Sequence, residues 1–232
     1  MKIAVIPARG GSKRIPQKNI RMFDDRPIIA YSIQVALESQ LFDRVIVSTD
    51  DPLIASLSKK LNAEVPFIRP QHLADDHTGT NAVVKHAIEW LERQGCRVEY
   101  ACSIYATAPF LKVKYLKEGF EKLVNSEKDF SLSVTSYPFP IQRAVYIDSD
   151  GAMGVFMPEH IFSRSQDLRE AFHDAGQFCW GRAAAFLSDL TVLSSASIPI
   201  VLPRHLVQDI DTEEDWNRAE LMHLALKLRE HS

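Results

Sequence analysis

Arg9, Lys13, Arg14 and Lys18 put four cations within ten residues, interleaved with Gly10, Gly11 and Ser12 and followed by Asn19. Glycines let a backbone turn sharply and expose its N–H groups, and clustered cations neutralise several anionic oxygens at once. The chemistry this stretch is equipped for is holding a triphosphate. It matches neither familiar glycine motif, for there is no G-x-x-x-x-G-K-[ST] and no G-x-G-x-x-G opening a helix. Pro16 fixes its own φ and pushes Ile15 toward an extended conformation, which stiffens the far half of the loop and presents Lys18 and Asn19. A Gly- and Lys-rich surface turn would have the same composition. Placement argues for a site, because the loop directly follows the apolar run Ile3 to Ala8, and α/β folds bind ligands where buried strands end.

A second chemical signal is Gln208-Asp209-Ile210-Asp211-Thr212. In an extended segment the period of two puts both carboxylates on one side and turns Ile210 the other way, into the core. Two hard oxygen donors facing one cavity suit Mg²⁺, which takes one or two carboxylates and completes its shell with water and phosphate oxygens. The competing structural role is a helix start, since Thr212-Glu213-Glu214-Asp215 reads as a capping box that Asp211 could merely support. That role accounts for Thr212 and leaves Asp209 unexplained. His72, Asp76 and His77 lack tetrahedral ligand spacing and read as a solvated loop.

The elements that must position these groups are legible as alternation. Apolar, β-branched runs at Ile3 to Ala8, Arg44 to Thr49, Val65 to Arg69, Ala101 to Ala106 and Phe130 to Thr135 read as buried strands. Between them Pro27 to Gln40, Pro52 to Leu61 and Asn81 to Arg93 carry apolar residues near helical spacing. Such alternation predicts an α/β fold with a Rossmann-like, doubly wound, mostly parallel sheet, right-handed crossovers and ligands at the carboxyl ends of the strands. From Tyr137 to roughly Asp174 the pattern changes to prolines, a turn at Asp148 to Gly151 and short apolar pieces, a small β-rich insertion in a single domain spanning 1–232. A homodimer contact and a lid over the site both fit its exposed apolar side chains. The main fold is expected to resume at Gln177 to Leu187, add a strand at Ile198 to Leu202 and close with a helix from Thr212 to about Arg229.

Composition narrows the partners. A chain of 232 residues, 46% hydrophobic and 25% charged, can bury a large core. A net charge of -3 gives no basic footprint, so nucleic acid is not an expected partner and attraction for phosphate must be local. Cys96, Cys102 and Cys179 form no C-x-x-C pair and fit reduced thiols in a cytoplasm. One Lys and six apolar residues before Arg9 are too few for the core of an export signal, and no run reaches the length of a membrane span. A cytoplasmic protein that does not engage membranes is therefore expected.

Ile6-Pro7-Ala8-Arg9-Gly10-Gly11-Ser12-Lys13, Pro16, Lys18-Asn19, Thr49-Asp50, Ala106-Thr107-Ala108-Pro109 and Asp209-Ile210-Asp211-Thr212 together resemble the acylneuraminate cytidylyltransferases, the CMP-sialic acid synthetases. The resemblance spans nearly the whole chain. Arg164-Ser165-Gln166-Asp167-Leu168, then His173-Asp174-Ala175-Gly176-Gln177-Phe178 and Trp180-Gly181, resemble the branch that activates pseudaminic acid, with Cys179 where an aromatic is expected. The resemblance implies a sheet of the nucleotide-diphospho-sugar transferase type. It also implies transfer of CMP from CTP to the anomeric hydroxyl of a nine-carbon keto-sugar acid, with pyrophosphate released.

By the same resemblance Ala8, Arg9, Gly10, Gly11, Ser12, Lys13, Lys18, Asn19, Arg69 and Thr80 form the nucleotide site, although Arg69 at a strand end could instead make a surface ion pair. Arg9, Lys18, Asp209 and Asp211 are the implied catalytic set, with Mg²⁺ on Asp209 and Asp211 lowering the pKa of the attacking hydroxyl. Thr107, His173, Asp174 and Gln177 are assigned to the sugar, and Arg143 and Arg164 to its carboxylate. His173 could also be a base; metal activation is the preferred reading. Two other functions stay open: CMP transfer to N-acetylneuraminate, legionaminate or 3-deoxy-manno-octulosonate, and a non-catalytic nucleotide-binding module. Intact Lys18, Asp209 and Asp211 count against the latter.

Overall fold

The computed structural model describes residues 1–76, 78–188 and 190–230. Its centre is a six-stranded sheet in the order β10-β6-β9-β5-β1-β4. Strands β1 (Lys2–Pro7), β4 (Arg44–Ser48), β5 (Tyr100–Ile104), β6 (Phe130–Ser136) and β10 (Ser197–Val201) run one way, and β9 (Phe172–Arg182) lies antiparallel between β5 and β6. The expected doubly wound, mainly parallel sheet is present, with one reversed strand that alternation did not announce.

The period of two sorts β1 between two cores. Ala4 and Ile6 pack with α1 (Ile28–Ser39), α2 (Pro52–Lys60), α4 (Val113–Val124) and α6 (Glu213–Glu230), while Ile3 and Val5 pack with α3 (Thr80–Arg93) and α5 (Ala183–Leu187). Fully buried Trp180 and Trp216 anchor the first of these cores. Burying each such ring adds roughly 2–3 kcal/mol, which fixes the sheet as a rigid platform for the loops at its carboxyl edge.

Three expectations change. Val65 to Arg69 is not a strand: only Glu64 bridges Ile46, because Pro66 has no N–H to donate and Pro70 follows, so the segment trails along the sheet edge. The helix α4 had not been read from the sequence. The excursion runs over 137–171 rather than to Asp174, since Phe172, His173 and Asp174 already pair with Ser136, Thr135 and Val134. Within it β7 (Val145–Ile147) and β8 (Met153–Val155) form a separate two-stranded sheet, and β2 (Met22–Phe23) and β3 (Arg26–Pro27) make a second small hairpin after the charged loop.

Candidate active site

The glycine loop leaves β1 and is fastened by hydrogen bonds within the protein. Gly10 N–H donates to Asp50 Oδ1 at 3.1 Å, and Asn19 Nδ2 donates to the Arg9 carbonyl at 2.9 Å. A Cβ at Gly10 would lie 2.5 Å from Asp51 Oδ2, so close approach to the start of α2 requires glycine there. Neither Gly10 nor Gly11 has a positive φ, so the sharp turn is made without a left-handed residue there; Gln17 takes that conformation, at 52°. Asn19 is buried and braces the loop besides lining the cleft.

The far end of the chain closes on this loop. Lys18 Nζ donates to the Ile210 carbonyl at 2.6 Å and lies 3.3 Å from Asp211 Oδ1, which Arg14 also approaches at 2.9 Å. Ile210 is fully buried between the two aspartates, as the period of two predicted. Thr212 and Asp215 do form the capping box, with Thr212 N–H to Asp215 Oδ2 at 2.9 Å and Asp215 N–H to Thr212 Oγ1 at 3.2 Å. The cap leaves the Asp211 carboxylate facing cations. Arg21 completes the clamp, paired with Glu213 at 2.7 Å and stacked over Trp216 at 4.3 Å.

A cleft of about 240 Å³ results, lined by Arg9, Ser12, Lys13, Arg14, Lys18, Asn19, Arg69, Thr80, Thr107 and Asp211 among others. Arg69 is buried rather than a surface ion pair: its guanidinium donates to the Ser48 carbonyl and hydroxyl, and burial lowers its pKa to about 10, with nearby Asp50 opposing. Asp76, which looked like a solvated residue, is ion-paired with Arg9 at 2.6 Å and with Lys13. It is a counter-ion for the cations of the loop. His77 lies outside the described residues. Among those described, no three His, Cys, Asp or Glu gather as a metal cage.

Two further cavities adjoin the cleft. One shares Asp211 with it and carries Asp209, His173, Arg204 and Arg218. Partial desolvation and the facing Asp211 carboxylate push Asp209 above the ordinary carboxylate range; Lys18 opposes, and Asp174 and Asp215 add to the rise. His173 Nδ1 sits 2.8 Å from the Asp174 carbonyl, and its ring lies 4.7 Å from Tyr137. The other cavity shares Thr80 and Tyr105 with the cleft and carries Asp174. Desolvation raises the Asp174 carboxyl, while the Gly176 N–H at 2.8 Å and the Tyr105 phenol act against that rise.

A bulge delivers these groups. Between Leu132 and Val134 the pairing of β6 jumps from Cys179 to Asp174, and Gly176 takes φ 62°, a conformation that favours glycine. Ser133 holds the bulge by bonding both the N–H and the carbonyl of Phe178 at 3.0 Å.

Three sugar assignments from the sequence do not line these three cavities. Gln177 is buried and donates to the Leu206 carbonyl, so it supports the segment leading to Asp209 instead of facing a ligand. Arg143 donates to Ser165 Oγ at 3.3 Å, and Arg164 pairs with Asp167 at 2.7 Å; both stay within the excursion. A local hydrogen bond holds the first and a local ion pair the second. Arg14, Tyr105, Asp76, Arg204 and Arg218, which sequence reasoning left unassigned, do line these spaces. Of these, only Arg14 had a visible signal, its place among the loop cations.

Comparison with known proteins agrees with this geometry. Residues 3–214 match the family model described as "Cytidylyltransferase". A pseudaminic acid cytidylyltransferase of Campylobacter jejuni is 43% identical over 221 residues, covering 95% of both chains. In Helicobacter pylori, a pseudaminic acid cytidylyltransferase and UDP-2,4-diacetamido-2,4,6-trideoxy-beta-L-altropyranose hydrolase is 36% identical over 208 residues, 90% of this chain and 40% of that one. The solved CMP:2-keto-3-deoxy-manno-octonic acid synthetase complexed with CTP superposes with a TM-score of 0.68 at 15% identity over 99% of both chains, a likeness of fold. With cations from the loop after the first strand and Asp211 from the far end of the chain meeting in one cleft, and with nearly the full length matched, this chain belongs to the cytidylyltransferase family.

Proposed function

We propose that the chain transfers CMP from CTP to the anomeric hydroxyl of pseudaminic acid, forming CMP-pseudaminic acid and pyrophosphate. One observation carries the reading: Lys18 and Arg14 from the opening loop converge on Asp211 from the far end of the chain. In this reaction the anomeric oxygen bonds the α-phosphorus, the bond from that phosphorus to the pyrophosphate oxygen breaks, and the hydroxyl proton is lost. Phosphoryl transfer asks mainly for in-line positioning and neutralised charge. Arg9, Lys13 and Lys18 are the groups for the β- and γ-phosphates, with the loop N–H groups and Ser12 alongside. Arg69 holds the Ser48 end of β4 beneath the nucleotide, and Thr80 and Thr107 border the same space.

Mg²⁺ fits the donor set, because burial and the nearby Asp211 carboxylate raise the proton affinity of Asp209, and the two border a common cavity with room for water and phosphate oxygens. When bound there, the ion supplies Lewis-acid polarisation of the α-phosphate and a lowered pKa for the attacking hydroxyl. His173, turned to a backbone carbonyl and packed at a tilt against Tyr137, orients the sugar side rather than taking the proton. The excursion supports a homodimer: Phe139, Ile147, Met153 and Phe162 are 79%, 77%, 74% and 97% exposed on one small element. CTP is an intracellular nucleotide, which suits a cytoplasmic enzyme; no helix among the described residues is long and apolar enough to cross a membrane.

The test is incubation with CTP, Mg²⁺ and a panel of keto-sugar acids, with products identified by mass. CMP-pseudaminic acid is expected as the main product. A product confined to N-acetylneuraminate, legionaminate or 3-deoxy-manno-octulosonate would move the substrate, and no nucleotide-sugar with any acid would end the reading.

A further inference from the structure

The cavity that shares Thr80 and Tyr105 with the cleft, about 400 Å³ in volume, has a floor made by one rung of the sheet. Ser103 on β5 lies opposite Cys179 on β9, which lies opposite Leu132 on β6. Residues directly opposite share a face, so a hydroxyl, a thiol and an isobutyl group line up across three strands. Ser103 is 2% exposed and its Oγ has no hydrogen-bond partner among the described residues. A hydroxyl buried in this way carries an unrecovered desolvation cost unless a ligand completes it. Burial also pushes the Cys179 thiol far up, so it stays protonated and acts as a small apolar group.

The walls state what the cavity can take. Leu190, Val192 and Leu193 form an apolar side, and Asp174 with the Tyr105 phenol forms a polar one. No Lys or Arg lines it among the described residues, and its charged group is an aspartate, so phosphates and carboxylates are excluded. The occupant is a neutral group with a donor, an acceptor and a short apolar tail. An acylamino group has all three: its N–H suits Asp174, its carbonyl suits Ser103 and its methyl suits Leu132, Cys179 and the Leu190 to Leu193 wall. Cytosine has better lodging in the cleft, where Pro7, Val83 and Ala106 give flat apolar walls near Arg69.

We infer that this cavity receives an N-acylamino arm of the sugar acid, with Ser103 as its hydrogen-bond partner and Cys179 setting the length of acyl chain admitted. The inference rests on the proposed reaction, since pseudaminic acid carries acylamino groups away from its carboxylate end. That acidic end stays beside Asp209 and Asp211, on the side of Arg204 and Arg218.

Steady-state kinetics of the full chain and of Ser103→Ala and Cys179→Leu decide it, with pseudaminic acid, its N-butanoyl analogue and 3-deoxy-manno-octulosonate, which has no acylamino group. Ser103→Ala is expected to raise the KM for pseudaminic acid about 5- to 10-fold while leaving the KM for CTP unaltered. Its Tm should stay level or rise, because no internal bond is lost. Cys179→Leu should lower kcat/KM for the butanoyl analogue about tenfold more than for pseudaminic acid itself. An unchanged sugar KM in Ser103→Ala, a raised CTP KM, or a fall in Tm would overturn the inference without touching the reaction. Failure of the unaltered chain to form any CMP-sugar would strike the reaction instead. Calorimetric binding of pseudaminic acid to the CTP-loaded chain and to Ser103→Ala then decides the cavity's role, equal or absent binding counting against it.

Discussion

The clamp between the opening loop and the 204–215 segment contrasts with the excursion over 137–171. In the clamp, side chains nearly two hundred positions apart meet through charge and backbone contacts. Loop shape is fixed from beneath by Asn19 and Asp50. In the excursion, polar side chains satisfy one another locally, as Arg164 does with Asp167, and large apolar side chains stand in solvent. The first region is preorganised for a ligand, while the second is prepared for a surface. Catalysis by positioning needs rigidity, and the homodimer we propose needs uncovered apolar area, so the two demands fall on separate elements.

The sharpest way to break this contrast is to neutralise the clamp. Asp211→Asn or Asp209→Asn should cut pyrophosphate release by at least about a thousandfold while circular dichroism stays unchanged; turnover near that of the unaltered chain would remove the metal assignment. Lys18→Ala should lower kcat/KM by about a hundredfold, measured in the same assay. Phe139→Asp combined with Phe162→Asp probes the other region. On the proposed homodimer, sedimentation should show a dimer for the unaltered chain and a monomer for this variant, with the main fold's stability altered by no more than about 1 kcal/mol, because both side chains are exposed.

Asp76 gives a finer test. It pairs with Arg9 and Lys13 and so competes with phosphate oxygens for them; Asp76→Asn should tighten CTP binding by about threefold in calorimetry, and weaker binding would show that Asp76 helps hold the nucleotide. The smallest effect concerns Asp209 without divalent metal. Its carboxyl is raised in the fold, so ionisation costs stability above that raised pKa, and the cost vanishes as pH falls below the ordinary carboxylate value. Asp209→Asn should therefore melt a few degrees higher than the unaltered chain at neutral pH, and the gap should close on acidification.

Much of this site was legible because its signals are local. Loop cations after a buried strand, two aspartates spaced to share a side, and Thr212 with Asp215 at a helix start each depend on residues close in sequence. Less legible were the groups that meet only across the sheet. Tyr105 follows β5 just outside the Ala106 to Pro109 motif, Arg204 sits in a single unmarked turn, Arg218 is one polar residue of α6 among several, and Ser103 reads as any strand serine. The assignment of Arg143 and Arg164 misled because residue type was right for a carboxylate, whereas partners three to twenty-two positions away already hold them.

The sequence by itself determined most of the alternating strands and helices, the cation-rich loop and the carboxylate pair, since backbone preference and hydrophobic period act over a few residues. Tertiary structure decided that β9 runs backward between β5 and β6, that its bulge at Gly176 aims Asp174 at Tyr105, and that Gln177 turns to Leu206. Those choices come from sheet closure and core packing, which compare partners far apart in the chain and leave no mark at any one of them.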